Sequence, residues 1–192
     1  NIEWSGVPLL SSNMDTIGVY EVYKKMSAFK MITVFHKFHT LDDYRIMSDL
    51  NPNYFMVSSG ISDKDYENLK SILDNISCKW ICIDVANGYM ESFVNFCKKV
   101  KNDYPNHILV AGNVVTIEQV NKLIHESNVD VIKVGIGPGS ICTTRLVAGI
   151  GVPQLSAILS VRSGIKNKDI KIISDGGIKY SGDLAKAFAA GA

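Results

Sequence analysis

Seven short apolar runs, each ending in a polar or glycine-rich group and each followed by a helix-like segment, constrain this chain more than any other feature. The runs cover residues 7–12, 31–35, 54–57, 80–83, 107–111, 130–134 and 170–173. They are rich in β-branched and aromatic residues and read as buried strands. Helices are expected over 19–29, 41–49, 63–75, 91–103, 116–126, 153–163 and 181–190. Tyr66, Leu69, Ile72 and Leu73 show the three- and four-residue spacing of an amphipathic helix. Thr40 is an expected cap, Thr116 to Gln119 an expected capping box, Pro153 an expected first-turn proline and Ser181 an expected cap.

Strands alternating with helices give an α/β fold with a parallel sheet and helical crossovers. A doubly wound sheet and a (β/α)8 TIM barrel both fit. The polar strand ends decide between them: Ser12-Asn13, His36-Lys37, Ser58-Ser59, Asp84, Gly112-Asn113, Gly135 to Gly137 and Asp175 to Gly177. In a barrel these carboxyl ends meet at one face, where active sites form. A doubly wound sheet would gather function at a single switch point. The chain stops where an eighth strand is expected. The expected architecture is therefore one domain over 1–192, a barrel truncated to about seven β/α units. Such a piece is expected to be inactive and poorly stable, because an open barrel exposes strand edges.

The chain has 192 residues, 46% hydrophobic and 20% charged, with a net charge of +1. That balance is ordinary for a globular protein and carries no charge signature of a nucleic-acid or membrane surface. No apolar run is long enough to span a bilayer. Cys78, Cys82, Cys97 and Cys142 form no Cys-x-x-Cys pair, and the four histidines are scattered, so a structural zinc site is not expected. Free thiols point to a reducing, cytoplasmic setting.

The stretch from Val131 to Arg145 carries the chemistry. An apolar strand breaks into Gly135-Ile136-Gly137-Pro138-Gly139-Ser140-Ile141 and then Cys142-Thr143-Thr144-Arg145. A free cysteine is ordinarily a buried, inert core residue. Cys78, Cys82 and Cys97 are read that way. Cys142 instead sits on a Gly-rich loop held by a strand, with loop amides and Arg145 available to favour a thiolate.

At these motifs the chain resembles the family that contains IMP dehydrogenase and GMP reductase. The matching segments are Asn13 to Thr16, His36-Lys37, Asp84 to Gly88, Ala111 to Thr116, Gly135 to Arg145 and Ser174 to Gly177. They run in family order over nearly the whole chain. Asn13 to Gly18 and Cys82 to Tyr89 are typical of the reductase branch. The short span from Lys37 to Asp84 has no room for the tandem regulatory insertion of most dehydrogenases. Leu146 to Gln154 and Gly176 to Asp183 look more like a bacterial dehydrogenase.

The resemblance implies purine nucleotide interconversion through a covalent bond between Cys142 and C2 of the base. In the reductase direction NADPH converts GMP to IMP and ammonia; in the dehydrogenase direction NAD oxidises IMP to XMP. The reductase direction is the one expected here. Thr144 is implied as the proton-handling partner. Ser12, Met14, Ser140, Asp175, Gly176 and Gly177 are implied at the nucleotide. Asp175 would accept the ribose hydroxyls, as a carboxylate is acceptor-only. Lys37, Asp84, Val85, Ala86, Ile136 and Gly137 are implied at the dinucleotide, with Lys37 as the cation for an NADP phosphate. A potassium ion is implied at Gly137, Gly139 and Cys142, with Arg145 beside it. His36 and His39 are expected to be structural. The family also implies a homotetramer.

Overall fold

The computed structural model describes residues 3–166 and 169–192. These divide into two compact units. The first comprises the chain up to Asp84 with Pro105–Leu109, and the second Val85–Tyr104 with Val110–Ala192.

The first unit contains β1 (Leu10–Ser11), α1 (Tyr20–Ala28), β2 (Ile32–Phe35), α2 (Leu41–Ile46), β3 (Phe55–Ser59), α3 (Asp63–Leu73) and β4 (Trp80–Asp84). All its strand pairs are parallel and sequential, with Leu10 opposite Ile32, Thr33 opposite Phe55 and Met56 opposite Trp80. Strands β2 and β3 are buried along their whole length, as expected for continuous apolar runs in a parallel sheet. Phe35 packs edge-on against Tyr44, centroids 5.4 Å apart, and lies 5.7 Å from Phe55. These rings lock β2, β3 and α2 together.

The second unit takes β5 (Ile108–Val114) from Val110 onward. It adds α4 (Glu91–Asp103), α5 (Ile117–Ser127), β6 (Val131–Val134), α6 (Thr144–Val147), α7 (Gln154–Gly164), β7 (Lys171–Ser174) and α8 (Ser181–Ala189). Again the pairs are parallel and sequential, with Ala111 opposite Ile132 and Ile132 opposite Ile172. Phe93, Cys97 and Val100 of α4 are buried, as are Val120 and Leu123 of α5. Ser127 Oγ donates to Val94 O at 2.9 Å, fastening α4 to the end of α5, and Lys101 pairs with Asp130 at 2.7 Å, fastening α4 to the residue before β6.

All seven strands fall where the apolar runs place them, with local corrections. The first strand is only Leu10–Ser11, because Val7 N–H already bonds Lys30 O and Pro8 has no N–H to offer a ladder. Helix α5 starts where expected, yet the capping box does not form. Its two partners are used elsewhere: Tyr89 OH bonds Thr116 Oγ1 at 2.8 Å, and Gln119 Nε2 donates to Gly88 O. Pro153 caps α7 and precedes its first turn. Tyr180, one residue before Ser181, caps α8, with Asp183 accepting from the Lys179 and Tyr180 amides. Helix α2 ends at Ile46, three residues earlier than expected. Among the described residues no helix is long and apolar enough to cross a membrane.

Candidate active site

Cys142 is carried by the segment between β6 and α7. After Val134 the chain turns through Gly135 and through Gly137, whose φ of +64° is a left-handed value that glycine adopts without strain. Cys142 N–H then bonds Gly139 O at 3.0 Å, closing a tight turn under the thiol. The sequence suggests a continuous loop here. The structure instead starts helix α6 at Thr144, with Leu146 and Val147 amides both returning to Thr143 O. Cys142 therefore stands at a turn-to-helix junction, and its side chain is exposed.

Cys142 Sγ donates to Thr144 Oγ1 at 3.2 Å. The hydroxyl rotor can reverse and donate to a thiolate. Bonding by the Thr144 side chain, then by its amide, with the charge of Arg145 adding, holds the Cys142 thiol below its ordinary value. Cys78 is the opposite case, a half-exposed residue whose thiol burial pushes up to about 12. Cys82 and Cys97 are buried. The contrast separates one accessible, ionisable thiol from three inert ones.

Arg145 braces the same segment. Its Nε donates to Ile136 O at 3.0 Å and its guanidinium also donates to Val152 O at 2.5 Å. These bonds join the two ends of the loop across the α6 turn. Ile136 is buried and Gly137 and Gly139 half-buried, so the Gly-rich part is held, while Ser140 and Cys142 are exposed. Gly139 O is already engaged by the Cys142 amide, and a carbonyl oxygen keeps a second lone pair for a hard cation. Gly137, Gly139 and Cys142 each carry a backbone carbonyl on one short loop. Among the described residues no cluster of His, Cys, Asp and Glu suits a metal.

Asp175, Gly176 and Gly177 follow β7 directly. Gly176 and Gly177 have φ of +80° and +76°, and a Cβ on either would crowd Pro138. Only glycines let these two loops lie so close. An open cleft of about 200 Å³ takes in Gly176 and Gly177 along with Ser174, Asp183 and Lys186. It includes neither Cys142 nor Asp175.

The carboxylate of Asp175 is tied by two residues to which the sequence assigned no site role: Lys133, and Asn113 at a polar strand end. Lys133 Nζ reaches its Oδ2 at 2.9 Å, and Asn113 Nδ2 reaches the same oxygen at 2.6 Å. The available signal was a lysine inside an otherwise apolar strand, two residues before Gly135. Val85 and Ala86, also in this unit, continue from β4; Val85 exchanges backbone bonds with Gly112 and Asn113 at 2.9 Å each.

The remaining candidates belong to the first unit. Asn13 Nδ2 donates to Asp84 Oδ2, which joins the loop after β1 to the end of β4. Met14 O accepts from Ile17 and Gly18, so the segment after Asn13 is a compact turn that leaves Ser12 and Met14 exposed. Lys37 is exposed, its ammonium 5.5 Å from the Phe38 ring centroid. His36 and His39 stack at 3.8 Å, and His39 Nδ1 lies 3.1 Å from His36 O. Burial, then the neighbouring His39, lowers the His36 pKa.

A family model described as "IMP dehydrogenase / GMP reductase domain" matches residues 2–192. The chain is 46% identical over 194 residues to a GMP reductase of Caenorhabditis elegans, covering 98% of this chain and 54% of that protein. It is 47% identical over 193 residues to human GMP reductase 1, covering 98% and 56%. A crystal structure of inosine 5′-monophosphate dehydrogenase from Legionella pneumophila superposes with a TM-score of 0.86 at 31% identity, covering 97% of this chain and 56% of that one. The chain thus spans about half the length of the proteins it matches. The fold class is α/β, a (β/α) barrel fold represented by seven β/α units. By motif, by sequence and by structure, the chain belongs to the IMP dehydrogenase / GMP reductase family.

Proposed function

We propose that the protein is a GMP reductase, an oxidoreductase that converts GMP to IMP and ammonia with NADPH. The observation that carries this reading is the exposed Cys142 thiol, held below its ordinary pKa by Thr144, in a chain 46–47% identical to proteins named GMP reductase.

In the proposed reaction the Cys142 thiolate adds to C2 of the guanine ring, and the 2-amino group leaves as ammonia after taking a proton. Thr144 passes that proton. A hydroxyl is a weak acid and base alone, so it acts as a relay between the leaving group and a stronger partner. When bound, NADPH supplies the hydride that replaces the amino group. Collapse of the adduct then expels the thiolate. One hydride and one proton are consumed for each ammonia and IMP formed, so atoms and charge balance.

Ser140, Asp175, Gly176 and Gly177, with Ser12 and Met14, are the proposed nucleotide contacts. Asp84, Val85, Ala86, Ile136 and Gly137 are the proposed dinucleotide contacts, and exposed Lys37 is the cation for the NADP phosphate. The loop carbonyls of Gly137, Gly139 and Cys142 are the proposed potassium ligands, with Arg145 beside them. Both compact units are proposed to form one catalytic domain, working as a cytoplasmic homotetramer.

The second reading is IMP dehydrogenase, favoured by the superposition on the Legionella enzyme. Both directions use the same cysteine, so the loop does not separate them. Assaying the full-length protein with GMP and NADPH, and separately with IMP and NAD, does. Loss of reduced-nicotinamide absorbance with GMP supports the reductase. Its appearance with IMP and NAD, and no turnover of GMP, assigns the dehydrogenase.

A further inference from the structure

Lys133 is only 6% exposed, in the middle of β6. Burying an ammonium costs several kcal/mol unless it is paired and hydrogen-bonded. Two of the groups that pair with it meet at one carboxylate. Lys133 Nζ lies 2.9 Å from Asp175 Oδ2 and 3.2 Å from Asn113 Oδ1. Asn113 closes the triangle, its Nδ2 donating to Asp175 Oδ2 at 2.6 Å and to Gly135 O at 2.5 Å. The amide of Asn113 has one orientation that satisfies all of this, oxygen to the ammonium and nitrogen to the carboxylate.

Two donors therefore converge on a single carboxylate oxygen. Among the described residues Oδ1 takes no hydrogen bond from the protein. A carboxylate tied at one oxygen by two donors cannot turn freely about its last torsion. The arrangement costs a buried charge, and an apolar triplet of the same volume would hold β5, β6 and β7 together as well or better. What it supplies is a fixed orientation.

We infer that Lys133, through Asn113, is a positioning residue that sets the Asp175 carboxylate for recognition of the ribose hydroxyls, and so makes the site selective for ribonucleotides over deoxyribonucleotides. This rests on the proposed role of Asp175 at the nucleotide. The role inferred for Lys133 is exerted through Asp175 and not on the nucleotide itself. It acts by leaving Oδ1 as the acceptor with a settled direction.

The test compares binding of GMP and 2′-deoxy-GMP to the full-length protein by calorimetry. A charge-assisted hydrogen bond predicts that the native protein prefers GMP by about tenfold or more. Lys133→Met is expected to shrink that preference to below about threefold. Lys133→Arg, which keeps the charge and donors, should restore most of it. A merely structural lysine gives a different result: both affinities fall together in Lys133→Met and the ratio stays, which overturns the inference. Asp175→Ala separates the two layers. If its ratio stays near the native value, Asp175 is not the ribose acceptor and the underlying reading fails. If its ratio collapses while that of Lys133→Met persists, only the positioning role fails. Should Lys133→Met not fold, Asn113→Ala decides by the same ratio.

Discussion

Cys142 Sγ lies 3.2 Å from Thr144 Oγ1, two residues on, across the junction where the Gly-rich loop becomes helix α6. The pair links the thiol's ionisation to a hydroxyl that can move a proton. It also singles out one cysteine of four. Alkylation with iodoacetamide should label Cys142 fast and Cys78, Cys82 and Cys97 slowly, as mass spectrometry of the peptides will show. Hydrogen bonds to a thiolate favour the ionised form, so the Cys142 rate should level off below the pH at which a free cysteine does.

Removing the Thr144 hydroxyl should move that profile in a known direction. Thr144→Val deletes the strongest bond to the thiolate while nearly preserving shape. The alkylation midpoint should rise toward the ordinary cysteine value. Turnover should fall by about 10²-fold or more, the usual scale for one acid–base group. Thr144→Ser should keep both properties near native. A Thr144→Val profile unchanged in pH would detach the hydroxyl from the thiol.

Arg145 fixes the loop that carries the cysteine. Its bonds to Ile136 O and Val152 O span the two sides of α6. Arg145→Ala should cost about 2 kcal/mol locally, as charged donors to carbonyls do. Limited proteolysis should then cut between Ile136 and Val152 at least tenfold faster. Arg145→Lys should rescue little, because a lysine cannot offer two donors in a fixed fork.

Much of this was legible in the sequence, and the misses have physical causes. The parallel strands announced themselves because two-sided burial demands unbroken apolar runs, as at Ile32–Phe35 and Val131–Val134. The reactive loop was legible because glycines, a cysteine and threonines rarely follow such a run without purpose. Helix α6 was not. Four residues carry no periodicity, and Leu146 and Val147 are exposed, so no apolar face marks it. The box at Thr116 misled because local pattern cannot reveal a competitor such as Tyr89 OH. The roles of Lys133 and Asn113 were missed for the same reason. Their meaning lies in Asp175, 42 and 62 residues away along the chain.

Acid should loosen the start of α2. The Thr40 amide, then its hydroxyl, hold the Asp43 carboxyl below its ordinary value. A carboxyl with a lower pKa folded than unfolded adds stability above its unfolded value, and loses it as pH falls through the folded one. Asp43→Asn should cost up to about 1 kcal/mol at neutral pH, the scale of a capping interaction. That difference should shrink as the pH falls through and below the ordinary aspartate range. Urea unfolding of both proteins across this range checks it.

Cys142 is proposed to carry a reaction that trades the 2-amino group of GMP for hydrogen. Its most direct measurement is the ammonia released per NADPH oxidised, in the native full-length protein and in Cys142→Ala. One ammonia per NADPH is expected in the native protein, and a fall of at least about 10³-fold in both signals for Cys142→Ala. Ammonia release by Cys142→Ala near the native rate, or no GMP-dependent NADPH oxidation by the native protein, would contradict it.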